Sequence, residues 1–276
     1  MISILILTLN EEQNLPSCLE AVKWCDDILV LDSFSSDRTV DVATKAGARV
    51  LQRQFDNFAN QRNHGLQEGG FKHDWVLHLD ADEIVSPEFH AEAVAATHRA
   101  EVDAFRVASR MMFHGRWLKH AGMYPSYQVR LGRREQLSFV QVGHGQRERL
   151  SPESIGTLRT PLVHHSFSKG LHDWMEKHNR YSTAEANHFF KTASHGNADW
   201  SGLWSKDPVH RRRALKNLAS RLPCRPLLRF LYMFIWRAGI LDGKAGFHYC
   251  RLLAIYEYLI ILKTQELERR QLGLPI

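Results

Sequence analysis

The sequence predicts an α/β fold with a mostly parallel central sheet, followed by an α-helical C-terminal region. Over roughly the first ninety residues, short apolar runs alternate with segments of helical periodicity, and the connecting loops are short. Such alternation is typical of βαβ units. Three of the apolar runs end in polar, acidic loops, and the last hundred or so residues carry apolar patterns that fit helix faces.

The composition fits a folded protein with one large domain, or one domain with a smaller appended region. The chain has 276 residues, of which 44% are hydrophobic and 24% charged. Its four cysteines, Cys18, Cys25, Cys224 and Cys250, show no CxxC or zinc-like spacing, which indicates free thiols in a reducing compartment. The N-terminus lacks the basic region of a signal peptide, so we interpret it as the first strand.

The first two strands and the helix between them follow from apolar patterning. Residues 2–9 are apolar almost throughout, which predicts a central strand covered on both faces. A helix is expected over residues 14–24, since Pro16 stands near its start and Leu15 and Leu19 fall on one side. Residues 28–31 form the second apolar run and predict the second strand.

Two further helices and two further strands complete the first ninety residues. A helix is expected from residue 37 to residue 46, ended by Gly47, before a third strand at residues 49–52. Residues 58–66 are expected to be helical. A buried fourth strand is expected over residues 75–79, and Pro87 is suited to the first turn of the next helix.

Three carboxylates in four residues follow the fourth strand, in the order Asp80, Ala81, Asp82, Glu83. They repel one another and lose hydration at the end of a buried strand unless a cation lies between them. Mg²⁺ and Mn²⁺ prefer oxygen ligands, often one or two carboxylates with substrate phosphates. The pattern therefore suggests a metal that bridges this Asp-x-Asp to a diphosphate. The alternative is a solvated turn that caps the next helix.

Polar loops follow three of the predicted strands, at residues 8–12, 32–37 and 80–83. Parallel strands place their carboxyl ends at one edge, so these loops are expected to meet in one crevice. There Asp32 is suited to accept hydrogen bonds from a nucleobase or ribose, and Arg62 to pair with a phosphate. For Asp32 and Asp37 the alternative is capping of the following helix.

These segments carry a family resemblance. Residues 8–12 (Thr-Leu-Asn-Glu-Glu), 32–39 (Asp-Ser-Phe-Ser-Ser-Asp-Arg-Thr), 61–63 (Gln-Arg-Asn) and 79–83 (Leu-Asp-Ala-Asp-Glu) resemble family 2 of the inverting nucleotide-sugar glycosyltransferases, which have the GT-A fold. More narrowly, the chain is similar to the bacterial branch that includes lipopolysaccharide-core β-1,4-glucosyltransferases. The resemblance continues through residues 113–117, 120–125, 128–131, 179–182 and 241–243.

The resemblance implies roles for individual residues. It implies a nucleotide-sugar site that contains Thr8, Asn10, Glu11, Asp32, Arg62, Asp80 and Arg130. It implies a Mg²⁺ or Mn²⁺ site at Asp82, with Asp80 and a histidine, His165, as further ligands. Arg130 is alternatively a structural partner of a carboxylate, and His164 is an alternative to His165. The family often has an aromatic residue where this chain has Leu9.

Inversion at an anomeric carbon needs a base that takes the proton of the acceptor hydroxyl. Glu148 and His144 are the candidates, by residue type and by resemblance, and Glu83 is a further one. The related branch often has His-Glu where this chain has His144-Gly145, so the acidic residue at the second position is missing. The alternatives are a surface ion pair for Glu148 and a structural loop residue for His144.

The C-terminal region is expected to be helical and to lie on a membrane surface. Eight basic residues against one acidic residue give residues 206–229 a net charge of +7, so the rest of the chain sums to about −1. Apolar runs follow at 227–236 and 247–262, each shorter than the roughly 20 residues that span a bilayer. Beside a basic cluster they fit interfacial helices. The alternative is a helical hairpin that packs on protein.

These observations predict a glycosyltransferase domain at residues 1–168 and a helical region at 169–276. The expected reaction is metal-dependent transfer of a hexose, with inversion, from a nucleotide-diphosphate sugar, expected to be a UDP-sugar, to a lipopolysaccharide-core or other cell-surface glycan. The enzyme is expected at the cytoplasmic membrane surface, and nucleic acid is not an expected partner. The alternatives are a polyprenyl-phosphate glycosyltransferase, a sugar-nucleotide nucleotidyltransferase, and a non-catalytic nucleotide- or glycan-binding scaffold.

Overall fold

The computed structural model describes residues 1–142, 145–193, 204 and 224–276, and no side chains at 192 and 193. His144 and most of the basic cluster, from Lys206 to Arg221, therefore lie outside the described residues. The chain divides into two compact units, Met1–Leu171 and His172–Ile276.

The parallel half of the sheet in the first unit has four strands in the order β3-β2-β1-β4. They are β1 (Ile2–Thr8), β2 (Ile28–Asp32), β3 (Arg49–Gln52) and β4 (Trp75–Asp80). All are parallel to their neighbours, and each ends within a residue of the bounds expected from the sequence. In the register, Thr8 lies opposite Asp32 and Leu7 opposite Asp80. The predicted convergence of the three polar loops at one edge is therefore confirmed.

Four helices cover this half of the sheet: α1 (Leu15–Ala21), α2 (Thr39–Lys45), α3 (Phe58–Glu68) and α4 (Pro87–Ala96). Alternate residues of β1 point to opposite faces, so Ile4 and Ile6 join one apolar cluster and Leu5 and Leu7 the other. Fully burying one such side chain stabilises the fold by about 1.5–3 kcal/mol. Ser86 caps α4 by accepting a hydrogen bond from the Phe89 N–H at 3.2 Å.

The other half of the sheet is mixed, and the sequence patterns did not assign its strands. Its strands are β5 (Glu83–Ile84), β6 (Ala104–Phe113), β7 (Arg116–Trp117), β8 (Tyr127–Arg133), β11 (Ile155–Thr157) and β12 (Leu162–His164). The order continues β4-β8-β6-β12-β5, with β8 antiparallel to both β4 and β6. A separate two-stranded sheet pairs β9 (Phe139–Val142) with β10 (Gly145–Glu148).

A β-bulge in β8 places Arg130. Leu131 lies opposite Phe105 and Val129 opposite Arg106, so Arg130 has no partner residue on β6. An extra residue of this kind breaks the alternation of the strand and re-aims a side chain. The α/β architecture expected from the sequence is confirmed, with a sheet that is parallel in its first half and mixed in its second.

The second unit is helical. It contains α5 (Gly170–Ala193, which begins two residues before the division), α6 (Arg225–Leu231), a π-helical turn (Tyr232–Trp236), a 3₁₀ turn (Gly239–Asp242) and α7 (Gly243–Gln271). Lys263 of α7 donates to four oxygens of α5, including the carbonyl of Asn179 at 2.7 Å and the Ser182 hydroxyl at 2.8 Å.

One helical stretch among the described residues, Gly239–Gln271, is long and apolar enough to cross a membrane by length and composition. This corrects the expectation that neither apolar run reaches the spanning length. The helix does not end near Leu262 but continues to Gln271, because no helix breaker interrupts residues 263–271.

Candidate active site

Asp80, the last residue of β4, is held by two arginines. Its Oδ1 lies 2.7 Å from Nη2 of Arg62 on α3, and its Oδ2 lies 2.9 Å from Nη2 of Arg130 on β8. Burial raises the pKa of Asp80, but the charges of Arg130 and Arg62 outweigh burial and hold the pKa well below the usual range for Asp. Asp80 is therefore ionised, and both of its oxygens are engaged by guanidinium groups.

Glu83 contacts both Asp80 and Arg130 and is fully buried. Its Oε1 accepts from Arg130 Nη2 at 2.7 Å and from the Ser109 hydroxyl at 3.4 Å, and its Oε2 accepts from the Asp80 N–H at 3.0 Å. Burial raises the pKa of Glu83 above its usual value, although Arg130 opposes this. A base for an acceptor hydroxyl must reach that hydroxyl, so this geometry gives Glu83 a positioning role instead.

Asp82 is paired with the imidazole of His164. Nε2 of His164 lies 3.2 Å from Asp82 Oδ2, because the antiparallel pairing of β5 and β12 places His164 opposite Glu83. Burial lowers the pKa of His164, but the adjacent Asp82 carboxylate outweighs it and raises the pKa to about 9. His165, the histidine named from the sequence, contributes its backbone N–H to the Asp82 carbonyl at 2.8 Å. The imidazole that lies against Asp82 is therefore that of His164, the alternative to His165.

The donor set fits a divalent cation only in part. Within the described residues, no three His, Cys, Asp or Glu side chains are grouped so that they could hold a metal ion. Asp80 offers both oxygens to arginines, which leaves Asp82 and His164 as the pair of protein donors. A carboxylate and an imidazole that has lost its proton suit Mn²⁺, and Mg²⁺ less well, and such sites are commonly completed by substrate phosphates. The chemistry of the pair therefore fits a metal bound together with a diphosphate.

The loops after β1 and β2 are joined by hydrogen bonds. The Asn10 N–H donates to the Ser35 hydroxyl at 2.8 Å, and the Ser36 N–H donates to Asn10 Oδ1 at 2.8 Å. The Glu11 N–H donates to the Thr39 hydroxyl at 2.8 Å. Asn10 has φ of 55°, in the left-handed region. The first loop is thus fixed in an unusual backbone conformation by the second, as expected of a preformed pocket wall.

Asp32 is fully buried, and protein donors occupy its oxygens. Oδ1 accepts from the Thr8 and Ser35 hydroxyls, and Oδ2 from the Ser35 N–H at 2.9 Å and Gln52 Nε2 at 3.0 Å. A carboxylate has about four acceptor positions. Contact between Asp32 and a nucleobase, as the resemblance implies, would require one of these donors to leave. Thr8 likewise uses its hydroxyl on Asp32.

Lys169 reaches the first loop, and the sequence patterns did not single it out. Its Nζ lies 2.8 Å from Glu11 Oε1 and 3.2 Å from the Asn10 carbonyl. Burial raises the pKa of Glu11, and Lys169 opposes this rise. A single lysine 158 residues from its partner carries no local pattern, so only the tertiary structure reveals it.

Buried nitrogen atoms without a hydrogen-bond partner among the described residues lie near Asp80. Nε and Nη1 of both Arg62 and Arg130 are buried and lack a hydrogen-bond partner in the part of the chain that the structure describes. His78, two residues before Asp80 on β4, is fully buried with both ring nitrogens likewise unpartnered. Burial, and then the arginine charges, lower the pKa of His78 well below its usual value, so it is neutral.

The two residues proposed as catalytic bases are not brought together with this site by any described contact. Glu148 stands in β10 opposite Phe139, whose ring lies edge-on to His78 at 5.4 Å between centroids. None of the described hydrogen bonds or ion pairs joins Glu148 to Asp80, Asp82 or Glu83. His144 lies outside the described residues.

In sequence the chain is similar to known glycosyltransferases. The family model described as "Glycosyl transferase family 2" matches residues 3–147. An uncharacterized glycosyltransferase of Rickettsia typhi is 25% identical over 277 aligned positions, which cover 96% of this chain and 87% of that protein. A lipopolysaccharide core biosynthesis glycosyltransferase of Rhizobium meliloti is 28% identical over 194 positions, covering 67% of this chain and 70% of that protein.

Other curated relatives are longer than the matching region, and the chain spans only 26% to 36% of their length. Among solved structures, glucosyl-3-phosphoglycerate synthase from Mycobacterium tuberculosis in complex with Mn²⁺, UDP-glucose and phosphoglyceric acid is similar, with a TM-score of 0.45 and 19% identity. That match covers 60% of this chain and 72% of the other.

Proposed function

Since the chain belongs to glycosyl transferase family 2, and is thus a glycosyltransferase, we propose that it moves a hexose from a UDP-sugar to a lipopolysaccharide-core or other cell-surface glycan, with inversion. The observation that carries this proposal is the Asp82–His164 pair beside the arginine-held Asp80, at the edge where the loops after β1 and β2 also end. A Rhizobium meliloti relative named for lipopolysaccharide core biosynthesis supports the choice of acceptor.

In this proposal the joined loops bind the nucleotide, and the two arginines fix the Asp80–Glu83 turn beside it. Asn10 and Glu11 form the wall of the pocket, with Lys169 placing a positive charge beside it. Arg62 and Arg130 act by holding Asp80, because their Nε and Nη1 atoms are buried and out of reach of a substrate.

Asp82 and His164 are the residues that would hold a divalent cation, Mn²⁺ or Mg²⁺. When bound, such an ion offsets the negative charge that develops on the leaving diphosphate. The protein's own contribution is to fix the Asp80–Glu83 turn. The ion pair between Arg130 and Glu83 stabilises the turn, and the His165 N–H donates to the Asp82 carbonyl.

Glu148 and His144 remain the proposed bases for the acceptor hydroxyl. In β10 the Glu148 side chain is partly buried and belongs to a hairpin whose other strand is tied to α3. That tie is reciprocal. Asn63 Nδ2 donates to the Phe139 carbonyl at 2.9 Å, and the Phe139 N–H donates to Asn63 Oδ1 at 2.8 Å. Glu148 thus stands on a strand that is paired with an anchored strand, which helps to position a base.

The second unit supports action at an anionic membrane surface. Large apolar side chains are exposed around the two turns between α6 and α7, namely Ile235 (64%), Trp236 (82%), Ile240 (58%) and Leu241 (61%). Arg237 and Lys244 stand in the same stretch. Exposed apolar side chains flanked by basic residues are typical of interfacial membrane binding. The proposal places the enzyme at the cytoplasmic face of the membrane, where a glycolipid acceptor is available.

The test is calorimetric titration of the full chain with UDP and with GDP, with and without Mn²⁺. We expect Mn²⁺-dependent binding of UDP that is lost in Asp82→Ala and retained in Asp26→Ala, a control at an exposed carboxylate far from the site. Tight binding of GDP would redirect the donor to a GDP-sugar. No binding of either nucleotide by folded protein would reject the proposal.

A further inference from the structure

A second cluster of side chains lies at the same edge of the sheet as the acidic site. Because β8 is antiparallel to both β4 and β6, strands β4 and β6 run in the same direction and end at one edge. Strand β12 is parallel to β6, so its last residue, His164, also lies at this edge. The connection between β6 and β8, residues 114–126, is therefore at the edge that carries the Asp80–Glu83 turn.

This connection belongs to a segment with positive charge only. Between Ala104 and Arg134 the sequence has no Asp or Glu and seven Lys or Arg residues: Arg106, Arg110, Arg116, Lys119, Arg130, Arg133 and Arg134. Arg130 is held by Asp80 and Glu83. Arg110 and Lys119 are exposed, and neither is paired with a carboxylate among the described residues. Uncompensated positive charge is thus present at the edge where substrates would bind.

These two cations flank an aromatic surface. The guanidinium carbon of Arg110 lies 4.8 Å from the centre of the Trp117 ring, and Nζ of Lys119 lies 5.7 Å from it. The ring of Tyr124 meets Trp117 edge-on at 5.0 Å. Nε1 of Trp117 is buried without a hydrogen-bond partner in the described part of the chain. The cluster therefore combines two aromatic rings with two exposed cations within one small area.

The connection is anchored, so the cluster is preformed. Leu118 and Ala121 are fully buried, and the Leu118 N–H donates to the Met111 carbonyl at 2.9 Å. At Gly122 an added Cβ would lie 2.3 Å from the Leu118 carbonyl oxygen, so the backbone packs closely there. A surface held in this way loses little entropy when a ligand binds.

A comparison within the same unit separates this cluster from an ordinary structural stack. At the opposite edge, Arg133 lies 4.7 Å from the centre of the Trp75 ring, which is nearly the same geometry. There, however, Asp103 lies 3.9 Å from Arg133 Nε, so the cation faces a carboxylate of the protein itself. The Arg110 stack lacks such a carboxylate in the described structure, which leaves its charge available to a ligand.

We infer that Arg110, Trp117, Lys119 and Tyr124 form the acceptor subsite, and that the acceptor is a sugar that carries a phosphate or carboxylate group. The apolar face of the sugar ring packs on the aromatic rings, and the anionic group pairs with the two cations. The identification of this cluster as an acceptor subsite rests on the proposed function. The donor diphosphate is bound separately, beside Asp82 and His164.

The experiment measures binding of small probes to the full chain with UDP and Mn²⁺ present. The probes are glucose 6-phosphate, galacturonic acid, glucose and inorganic phosphate. The binding of each probe is measured by protein NMR or by tryptophan fluorescence. We expect both acidic sugars to bind at least about tenfold more tightly than glucose. Arg110→Gln and Lys119→Gln each weaken the acidic sugars by about tenfold and leave glucose and UDP binding unchanged. Arg133→Gln, the matched control, changes nothing.

Four outcomes overturn the inference. They are equal binding of glucose and glucose 6-phosphate, binding of phosphate as tight as that of the sugar phosphate, the same loss in Arg133→Gln as in Arg110→Gln, and no binding of any probe. The UDP titration in the same samples keeps the two proposals apart. Absence of UDP binding rejects the donor site, whereas the sugar titrations report on the Arg110 cluster alone.

Discussion

Nη2 of Arg130 lies 2.7 Å from Oε1 of Glu83, at a position where Glu83 has no exposure to solvent and Arg130 almost none. The same nitrogen lies 2.9 Å from Asp80 Oδ2, so one guanidinium group holds two of the three carboxylates that follow β4. The bulge in β8 makes this contact available, because it leaves Arg130 without a partner residue on β6. The arrangement supports the turn that presents Asp82.

Arg130→Gln is expected to destabilise the protein strongly. Removal of one partner of a buried ion pair leaves an uncompensated charge and costs about 3–5 kcal/mol in the free energy of unfolding. Urea denaturation measures this difference. Glu83→Gln keeps a single acceptor oxygen, for Arg130 or for the Asp80 N–H but not for both, so it is expected to destabilise the protein as well. Arg134→Gln, whose ion pair with Glu135 at 3.8 Å is exposed, serves as the control. An Arg130→Gln protein within about 1 kcal/mol of wild type would contradict the positioning role.

His164 and His165 are expected to differ in their effect on metal affinity. The His164 imidazole lies against Asp82, whereas His165 contributes a backbone N–H that any residue retains. His164→Ala should weaken Mn²⁺ binding in the presence of UDP by about tenfold or more, and His165→Ala should change it little. Electron paramagnetic resonance of free Mn²⁺ measures both constants. Similar losses in the two variants would show that the histidine choice made from the structure is wrong.

The acid stability of the first unit is expected to depend on Asp27. Its side chain is fully buried and accepts from the Lys72 N–H at 2.7 Å, from Arg49 Nη2 at 2.8 Å and from the Ser3 hydroxyl. Burial raises the pKa of Asp27, but these donors together outweigh it and lower the pKa below the usual value. The stabilisation is therefore fully present above the unfolded-state pKa of about 3.9 and is lost as pH falls through the lower folded-state value.

Asp27→Asn should lower the free energy of unfolding by about 2 kcal/mol at neutral pH, because it replaces hydrogen bonds to a charged group. It should also flatten the pH dependence of thermal stability below about pH 4, where wild type loses the contribution of Asp27. Thermal unfolding of both proteins from pH 3 to pH 7 checks this. Parallel curves for the two proteins over the whole range would exclude Asp27 as a source of the acid dependence.

Membrane binding is expected to depend on the exposed turns between α6 and α7. The double variant Ile235→Ser, Trp236→Ser removes two of the most exposed apolar side chains and should weaken binding to vesicles that contain phosphatidylglycerol by at least about tenfold. Leu272→Ser, at another exposed apolar residue (72%), should not. Flotation with phosphatidylglycerol and with pure phosphatidylcholine vesicles measures both effects. Equal binding by the double variant and wild type would reject these turns as the membrane-binding face.

Most of the parallel half of the fold could be predicted from the sequence, because apolar runs and turn signals within short segments define its strands and helices. A strand buried on both faces is apolar almost throughout, as residues 2–8 and 75–79 are, and short helices with turn signals connect such strands. The second half of the sheet was not predicted. There Arg106 and Arg110 interrupt the apolar pattern of β6, and β7 and β12 have only two and three residues, too few to show a period.

The sequence by itself determined the edge at which the site lies, since polar loops after parallel strands must meet there, and it determined that carboxylates occupy it. Only the tertiary structure decided which groups each of these side chains contacts. The Arg130 bulge, the choice of His164 over His165, the burial of Glu83 and the approach of Lys169 all depend on register and on contacts between segments 47 to 158 residues apart. Local periodicity cannot reveal such contacts, because the two partners are far apart in the sequence and come together only in the folded protein.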